Sequence, residues 1–413
     1  MRNDGTALPD WARSRLDEVG QADILVGIPS YNNAGTIGFV VEQAARGMVE
    51  HFPDLKPVLL NSDGSSTDRT ADAVMGVSVP AEVEVLTAPY RGIPGKGSAL
   101  RAIFEAASRL GCRACVVVDS DLRSINPAWI QRLAGPIVEG SYDYVTPFYV
   151  RHKNDGTITN NIAYPMTQAL YGWDIRQPIG GDFGFSGELA ALYTSRDVWD
   201  GPVAKFGIDI WMTTTAINEG FRPCQARLGA KIHDAKDPAA ALGPMFRQVV
   251  GGLFALMETY AGRWQAVTET LSAPILGPDV VVEPEPVPVS FGRMRAELRD
   301  GAQRHAAIWD GVLADENRSA VERLIALPDK AYAFPADLWV RCVYDFAVAC
   351  RRHQSSDPQS ILDAMTPLYL GRTAGFVRET QEMTTRQAED VIQAQARTYE
   401  HLKPYLIGRW RSA

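Results

Sequence analysis

The run Val116-Val117-Val118-Asp119-Ser120-Asp121 ends an apolar stretch in two carboxylates spaced i and i+2. In an extended chain, residues two apart point to the same face, so Asp119 and Asp121 can converge on one cation. Mg2+ or Mn2+ suits such a pair, because hard ions accept carboxylate oxygens and keep coordination positions for a diphosphate. An isolated Asp-x-Asp also reads as a strand-ending turn. What favours the metal reading is its place at the end of a fourth apolar run. His233 closes the apolar stretch 226–232 and is a third ligand candidate, since imidazole suits Mn2+ better than Mg2+.

Further polar groups follow other apolar runs. Pro29-Ser30-Tyr31-Asn32 ends the first, and Asn61-Ser62-Asp63-Gly64-Ser65-Ser66-Thr67-Asp68 follows the second. Asp63 can accept from an imide or amino group of a base, and Tyr31 offers a ring face or a hydroxyl. The plain alternative is that Asp63-Gly64 is a turn and Ser66 or Thr67 caps the next helix, with Asp68 in its first turn. Capping does not exclude ligand binding. In Pro94-Gly95-Lys96-Gly97, glycines permit close backbone approach and Lys96 adds a positive charge, although the spacing is not that of a P-loop. Asp209, in Gly207-Ile208-Asp209-Ile210-Trp211, has three open readings: a general base, a sugar ligand, or a helix-terminal charge.

Elements must bring these groups together. Apolar runs at 24–28, 58–60, 83–86, 115–118 and 142–148 alternate with helical periodicity at about 35–50, 67–77, 97–110 and 127–139, the pattern of an α/β, mostly parallel sheet flanked by helices. Ligands of such sheets sit at the carboxyl ends of the strands. A long helix is expected over 239–264, then a proline-rich linker or extended wrap within 266–290. Residues 291–413 read as an α-helical C-terminal domain of amphipathic helices. Residues 1–21 form an N-terminal extension and 22–265 the catalytic domain.

With 413 residues, 46% hydrophobic and 22% charged, the chain has apolar mass for a sizeable core. Its 41 Lys+Arg against 49 Asp+Glu leave a formal net charge of −8, which argues against nucleic acid and anionic membranes as partners. Any anionic ligand must be held locally. No apolar stretch reaches the roughly 20 residues of a membrane helix, and acidic residues Asp4, Asp10, Asp17 and Glu18 stand where a secretory signal would be apolar. A cytoplasmic protein is expected. Five cysteines do not make a disulfide framework, and Cys112-x-x-Cys115 runs into a strand rather than opening a helix as a redox pair would.

The motifs Pro29-Ser30-Tyr31-Asn32, Asn61-Ser62-Asp63-Gly64-Ser65, Gly95-Lys96-Gly97 and Asp119-Ser120-Asp121, in that order, resemble those of GT-A fold (Rossmann-like) glycosyltransferases that use nucleotide sugars. Gln177-Pro178-Ile179-Gly180-Gly181-Asp182, Phe206-Gly207-Ile208-Asp209-Ile210 and Ala230-Lys231-Ile232-His233 are similar to the retaining enzymes that make glucosyl-3-phosphoglycerate and mannosylglycerate, compounds of the glucosylglycerate kind. The likeness covers roughly 22–265. It implies that Pro29, Tyr31 and Asp63 hold the nucleoside of a GDP- or UDP-hexose, that Lys96 lies near its phosphates, and that Asp119, Asp121 and His233 bind Mg2+ or Mn2+. It implies further that Gly180, Gly181, Asp182 and Asp209 shape the sugar site, with Asp182 and Asp209 as the catalytic candidates. Arg151, Gly156 and Thr157 look like a loop for the carboxylate or phosphate of an acceptor such as glycerate or 3-phosphoglycerate, and Lys153 could assist in that clamp. The sequence departs from the family pattern at His152-Lys153-Asn154. Competing readings are an inverting GT-A enzyme with another acceptor, and a nucleotide-sugar sensor or assembly protein whose Trp309, Trp339, Tyr344, Tyr369 and Trp410 face a partner, such as a second copy in a homodimer. A nucleotidyltransferase is disfavoured because 29–33 lacks its Gly-rich Arg-Lys loop.

Overall fold

The computed structural model describes residues 5–233, 243–279, 282, 284–353 and 358–412. By contacts, the chain divides into two units that interleave along the sequence: 1–150, 179–234 and 273–284 form the first, and 151–178, 235–272 and 285–413 the second. The expected boundaries are linear, whereas the chain passes between these units five times.

The first unit is a sheet of eight strands. In chain order these are β1 Ile24–Ser30, β2 Pro57–Asp63, β3 Glu84–Pro89, β4 Ala114–Val117, β5 Tyr144–Val150, β7 Phe183–Ser186, β8 Pro223–Ala230 and β10 Ile275–Leu276. The second unit holds β6 Trp173–Asp174 paired with β9 Leu271–Ser272. The sheet order is β10-β8-β5-β7-β4-β1-β2-β3, parallel throughout except for β7, which runs antiparallel to both neighbours. The expected mostly parallel α/β sheet is present. The proline-rich stretch that read as a linker contributes β10 at the sheet edge.

β1, β2 and β4 are wholly buried, which explains their continuous rather than alternating apolar runs. One face packs Ile24, Val26, Ile28, Ala114, Val116 and Val118 against the helices Ile37–His51 and Pro127–Val138. On the other face Gly27 leaves room for Ile103 of the helix Lys96–Arg109, which a Cβ at 27 would strike. Phe104 of that helix meets Phe185 of β7 edge-on at 5.4 Å. This two-residue parity decides the site: Cys115 and Val117 face the helix that Lys96 opens, and Asp119 continues their side.

The second unit is mainly helical, with helices Gly243–Thr259, Phe291–Arg304, Asp315–Ala326, Ala336–Arg352, Pro358–Glu379, Thr385–His401 and Lys403–Arg411 among its described residues. The helix expected from 239 is described from Gly243, and residues 234–242 lie outside the described part. The helix Thr385–His401 opens with a Thr384/Gln387 capping box. Trp309, Trp339, Tyr344, Tyr369 and Trp410 are all buried. Their polar tips find internal partners: Trp309 Nε1 donates to the Ala364 carbonyl and Tyr344 OH to that of Tyr399. These aromatics therefore fill a core, and the partner surface assigned to them is corrected. No described helix is long and apolar enough to cross a membrane.

Candidate active site

Register aligns the strand ends that carry the polar motifs. Ser30 of β1 lies beside Asp63 of β2, and Gly27 beside Val117 of β4. The turn after β4 is tied to the one after β1: Ser120 Oγ donates to Asn33 Oδ1 at 2.8 Å, and Thr36 Oγ1 donates to the Ser120 carbonyl at 2.9 Å. Both motifs thus form one rim.

At the centre stands Asp119. Its Oδ1 accepts from Lys96 Nζ at 2.9 Å and its Oδ2 from Lys231 Nζ at 2.7 Å. Lys231 also donates to the Gly180 carbonyl at 2.9 Å and to Asp182 Oδ2 at 2.8 Å, while Lys96 reaches Asp209 Oδ1 at 3.2 Å. The result is an alternating row, Asp209–Lys96–Asp119–Lys231–Asp182. Gly181, at φ +90, stands where a Cβ would collide with the Asp119 carboxylate, so only glycine lets the loop close on it.

Burial acts on Asp119, Lys96 and Asp209. It opposes ionisation of Asp119, but Lys231 and Lys96 outweigh it and hold that carboxyl far below the usual carboxylate range. Burial likewise opposes the Lys96 ammonium, and Asp119 and Asp209 overcome it, so the lysine stays charged. At Asp209 burial prevails over Lys96, the charge of Asp119 adds to it, and the carboxyl is pushed up. Its Oδ1 carries no hydrogen bond despite being buried. At Asp121 burial and then the Asp119 charge push the carboxyl up, against the pull of Lys231 and His233.

The expected Asp119–Asp121–His233 ion cage is not assembled. Among the described residues no group of three or more His, Cys, Asp and Glu side chains is arranged to hold a metal ion, and both Asp119 oxygens are taken by ammonium groups. Asp121 and His233 do come within electrostatic reach of each other, because Arg123 N donates to the Ile232 carbonyl at 2.9 Å and Ile232 N to Ser124 Oγ at 3.0 Å. Asp182, expected as catalytic, is placed directly beside Asp119. It is fully buried, its Oδ1 accepts from Asp119 N at 2.8 Å, and its Oδ2 accepts from Lys231 and from Tyr149 OH. Three of its roughly four lone-pair positions are thereby used, and the bond from Asp119 N helps to position that residue.

In the nucleoside region, Pro29 is buried within β1 and supports the rim rather than facing out. Tyr31 is 64% exposed, a ring free to stack. Asp63 behaves largely as the capping alternative describes, its Oδ1 accepting from Ser30 and Ser66 hydroxyls and its Oδ2 from Ser66 N. Three of about four lone-pair positions are thereby used, leaving one.

The acceptor loop belongs to the second unit. Arg151 Nε donates to Gln177 Oε1 at 3.2 Å and its Nη1 to Asp155 at 3.2 Å, and Gly156 turns at φ +61. Thr157 is buried with its hydroxyl bonded to Tyr369 OH, which removes it from any ligand role. Lys153 donates to the carbonyls of Thr380, Gln381 and Met383, so it closes the end of the helix Pro358–Glu379 and is no acceptor clamp.

Three participants escaped the sequence reading. Lys231 read only as local polarity, Tyr149 as a strand residue, and Tyr90, whose hydroxyl accepts from Gly95 N at 2.9 Å, as nothing. The available signal was position: each follows or closes an apolar run at the ligand edge.

The family model for glycosyl transferase family 2 matches residues 25–187. Among solved structures, glucosyl-3-phosphoglycerate synthase from Mycobacterium tuberculosis in complex with Mn2+, uridine diphosphate and phosphoglyceric acid is 27% identical, covering 60% of this chain and 83% of that one, at a TM-score of 0.45. The same enzyme with Mg2+ and uridine diphosphate is 26% identical, covering 60% and 84%, also at 0.45. A mycobacterial protein is 30% identical over 60% and 79%, at 0.45. No curated protein matches. Residues 25–187 thus carry a glycosyl transferase family 2 domain, built on the mostly parallel sheet described above.

Proposed function

We propose that this glycosyltransferase moves a hexose from a nucleoside diphosphate sugar, with UDP or GDP as the nucleotide, to a small anionic hydroxy acid such as glycerate or 3-phosphoglycerate, with retention of anomeric configuration. The observation that carries the donor class is the row Asp209–Lys96–Asp119–Lys231–Asp182 at the carboxyl edge of β1, β2 and β4. The acceptor class is supported by the motif resemblance.

Tyr31 stacks on the base and the free lone pair of Asp63 accepts from it. Lys96, kept charged, lies toward the phosphates. The donor set fits a divalent cation as a pair rather than a triad: Asp121, whose charge is under-compensated, and His233 would hold Mg2+ or Mn2+. Such an ion supplies charge neutralisation for a departing diphosphate. Asp119, locked between two lysines, has both oxygens fixed in direction and orients the ammonium groups for the donor. Asp209 Oδ1 lies 3.2 Å from the Lys96 ammonium but accepts no hydrogen bond, so it is suited to accept one from a sugar hydroxyl.

That same oxygen favours one second reading. A buried carboxyl with raised affinity for protons is a general base candidate for inversion. Incubating the protein with UDP- or GDP-glucose and -mannose, Mn2+ and either acceptor should yield a glycoside whose NMR coupling matches the donor's anomer. An inverted coupling would transfer the reading to Asp209 as base, and absence of product with every pair would sink the acceptor class.

A further inference from the structure

We propose that the second unit holds a separate binding site for a small hydroxylated anion, a carboxylate or a phosphate monoester, anchored by Arg372. The proposal stands independently of the transfer reaction above.

The site is a cavity of about 460 Å³ lined by residues including Ala336, Arg372, Glu379, Asp390, Ala394 and Gln395. Such a volume is in the range of small-molecule pockets. Arg372 is 1% exposed. Its Nε donates to Gln395 Oε1 at 2.8 Å, and its Nη1 donates to the Phe334 carbonyl at 3.0 Å and to Glu379 Oε2 at 3.4 Å. Nη2 is left with no partner among the described residues while the side chain lines the cavity. Burial pushes the guanidinium below its ordinary value, and Glu379 counters only in part. A buried guanidinium with one edge unanswered calls for an acceptor.

A second feature points the same way. The helix Ala336–Arg352 begins at this cavity, with Pro335 at its N-cap and no side chain capping it. Its first residue, Ala336, lines the same cavity as Arg372, so the uncapped N–H groups and the positive end of the dipole lie at this cavity. The cavity is also lined by Asp390 and by Glu379, the partner of Arg372 Nη1; both would repel a bare anion but accept from hydroxyls. The combination selects an anion that also carries hydroxyl groups.

The test is isothermal titration of the full chain with inorganic phosphate, glycerate and 3-phosphoglycerate, and with uncharged glycerol as a control. Ala394 is exposed at the cavity, so Ala394→Trp fills it without disturbing packing. At least one anion should bind the wild-type protein and bind Ala394→Trp at least tenfold more weakly, and glycerol should not bind. Arg372→Gln, if folded by circular dichroism, should show the same loss; if it does not fold, Ala394→Trp decides alone. The proposal is overturned if no anion binds the wild-type chain, if Ala394→Trp titrates as the wild type does, or if glycerol binds as tightly as glycerate.

Discussion

Lys96 and Lys231 in the first unit each touch two carboxylates, whereas Arg372 in the second touches one, at 3.4 Å, and takes its other partners from an amide and a carbonyl. The three cationic side chains are 14%, 4% and 1% exposed, respectively. The difference lies in how fully each charge is answered. A saturated row has its dipoles already oriented and suits preorganised chemistry. An under-answered guanidinium retains recognition capacity that a ligand can fill.

The largest expected effect tests the Asp121–His233 pair beside the saturated row. Asp121→Ala should lower transfer by roughly a thousandfold while its melting curve stays close to the wild type; undiminished activity with Mn2+ would remove Asp121 from the site. Lys231→Met should cost about 3–5 kcal/mol, because it leaves two buried carboxylates short of a partner. Arg372→Met should cost less, about 1–3 kcal/mol, since only one of its three partners is charged. Urea unfolding of both variants measures this, and equal losses would erase the contrast between the clusters.

Acid unfolding separates the members of the row by sign. Asp119 has a depressed folded pKa, so its contribution is present above the usual carboxylate range and is lost as pH falls toward its folded value. Asp209 is the reverse: its raised folded pKa contributes stability at low pH that is lost as pH rises through that value. Asp119→Asn should flatten the acid limb of the stability curve, and Asp209→Asn should improve stability at neutral pH relative to acid. Identical slopes in the two variants would show that the row does not divide the charge as described.

Smaller effects probe the rim and the acceptor loop. Tyr31→Ala should weaken nucleotide-sugar binding by about 1 kcal/mol, a stacking contribution, with no change in melting temperature. Thr157→Val should cost about 1 kcal/mol in stability, one interior hydrogen bond, and leave the acceptor KM unaltered. A raised acceptor KM in that variant would return Thr157 to the ligand.

Much of the site was legible as types and spacing. Asp119, Asp121, Lys96 and Asp209 follow apolar runs or open helices, and register brings the strand ends to one edge. What the motifs do not contain is who answers whom. Asp119 belongs to a metal motif by spacing, yet Lys231, distant in sequence, occupies one of its oxygens. Thr157 and Lys153 look like polar loop residues until Tyr369 and the carbonyls of 380–383 claim them.

The chain order of hydrophobic periods is enough to specify an α/β sheet with its ligand edge, because burial of a two-residue or 3.6-residue repeat is a local property of sequence. It also names the carboxylates and lysines present. Whether a given carboxylate is free for a cation, locked by an ammonium group or spent on a cap is decided by partners that only tertiary packing brings within 3 Å, and Coulomb and desolvation energies depend on those distances rather than on position along the chain.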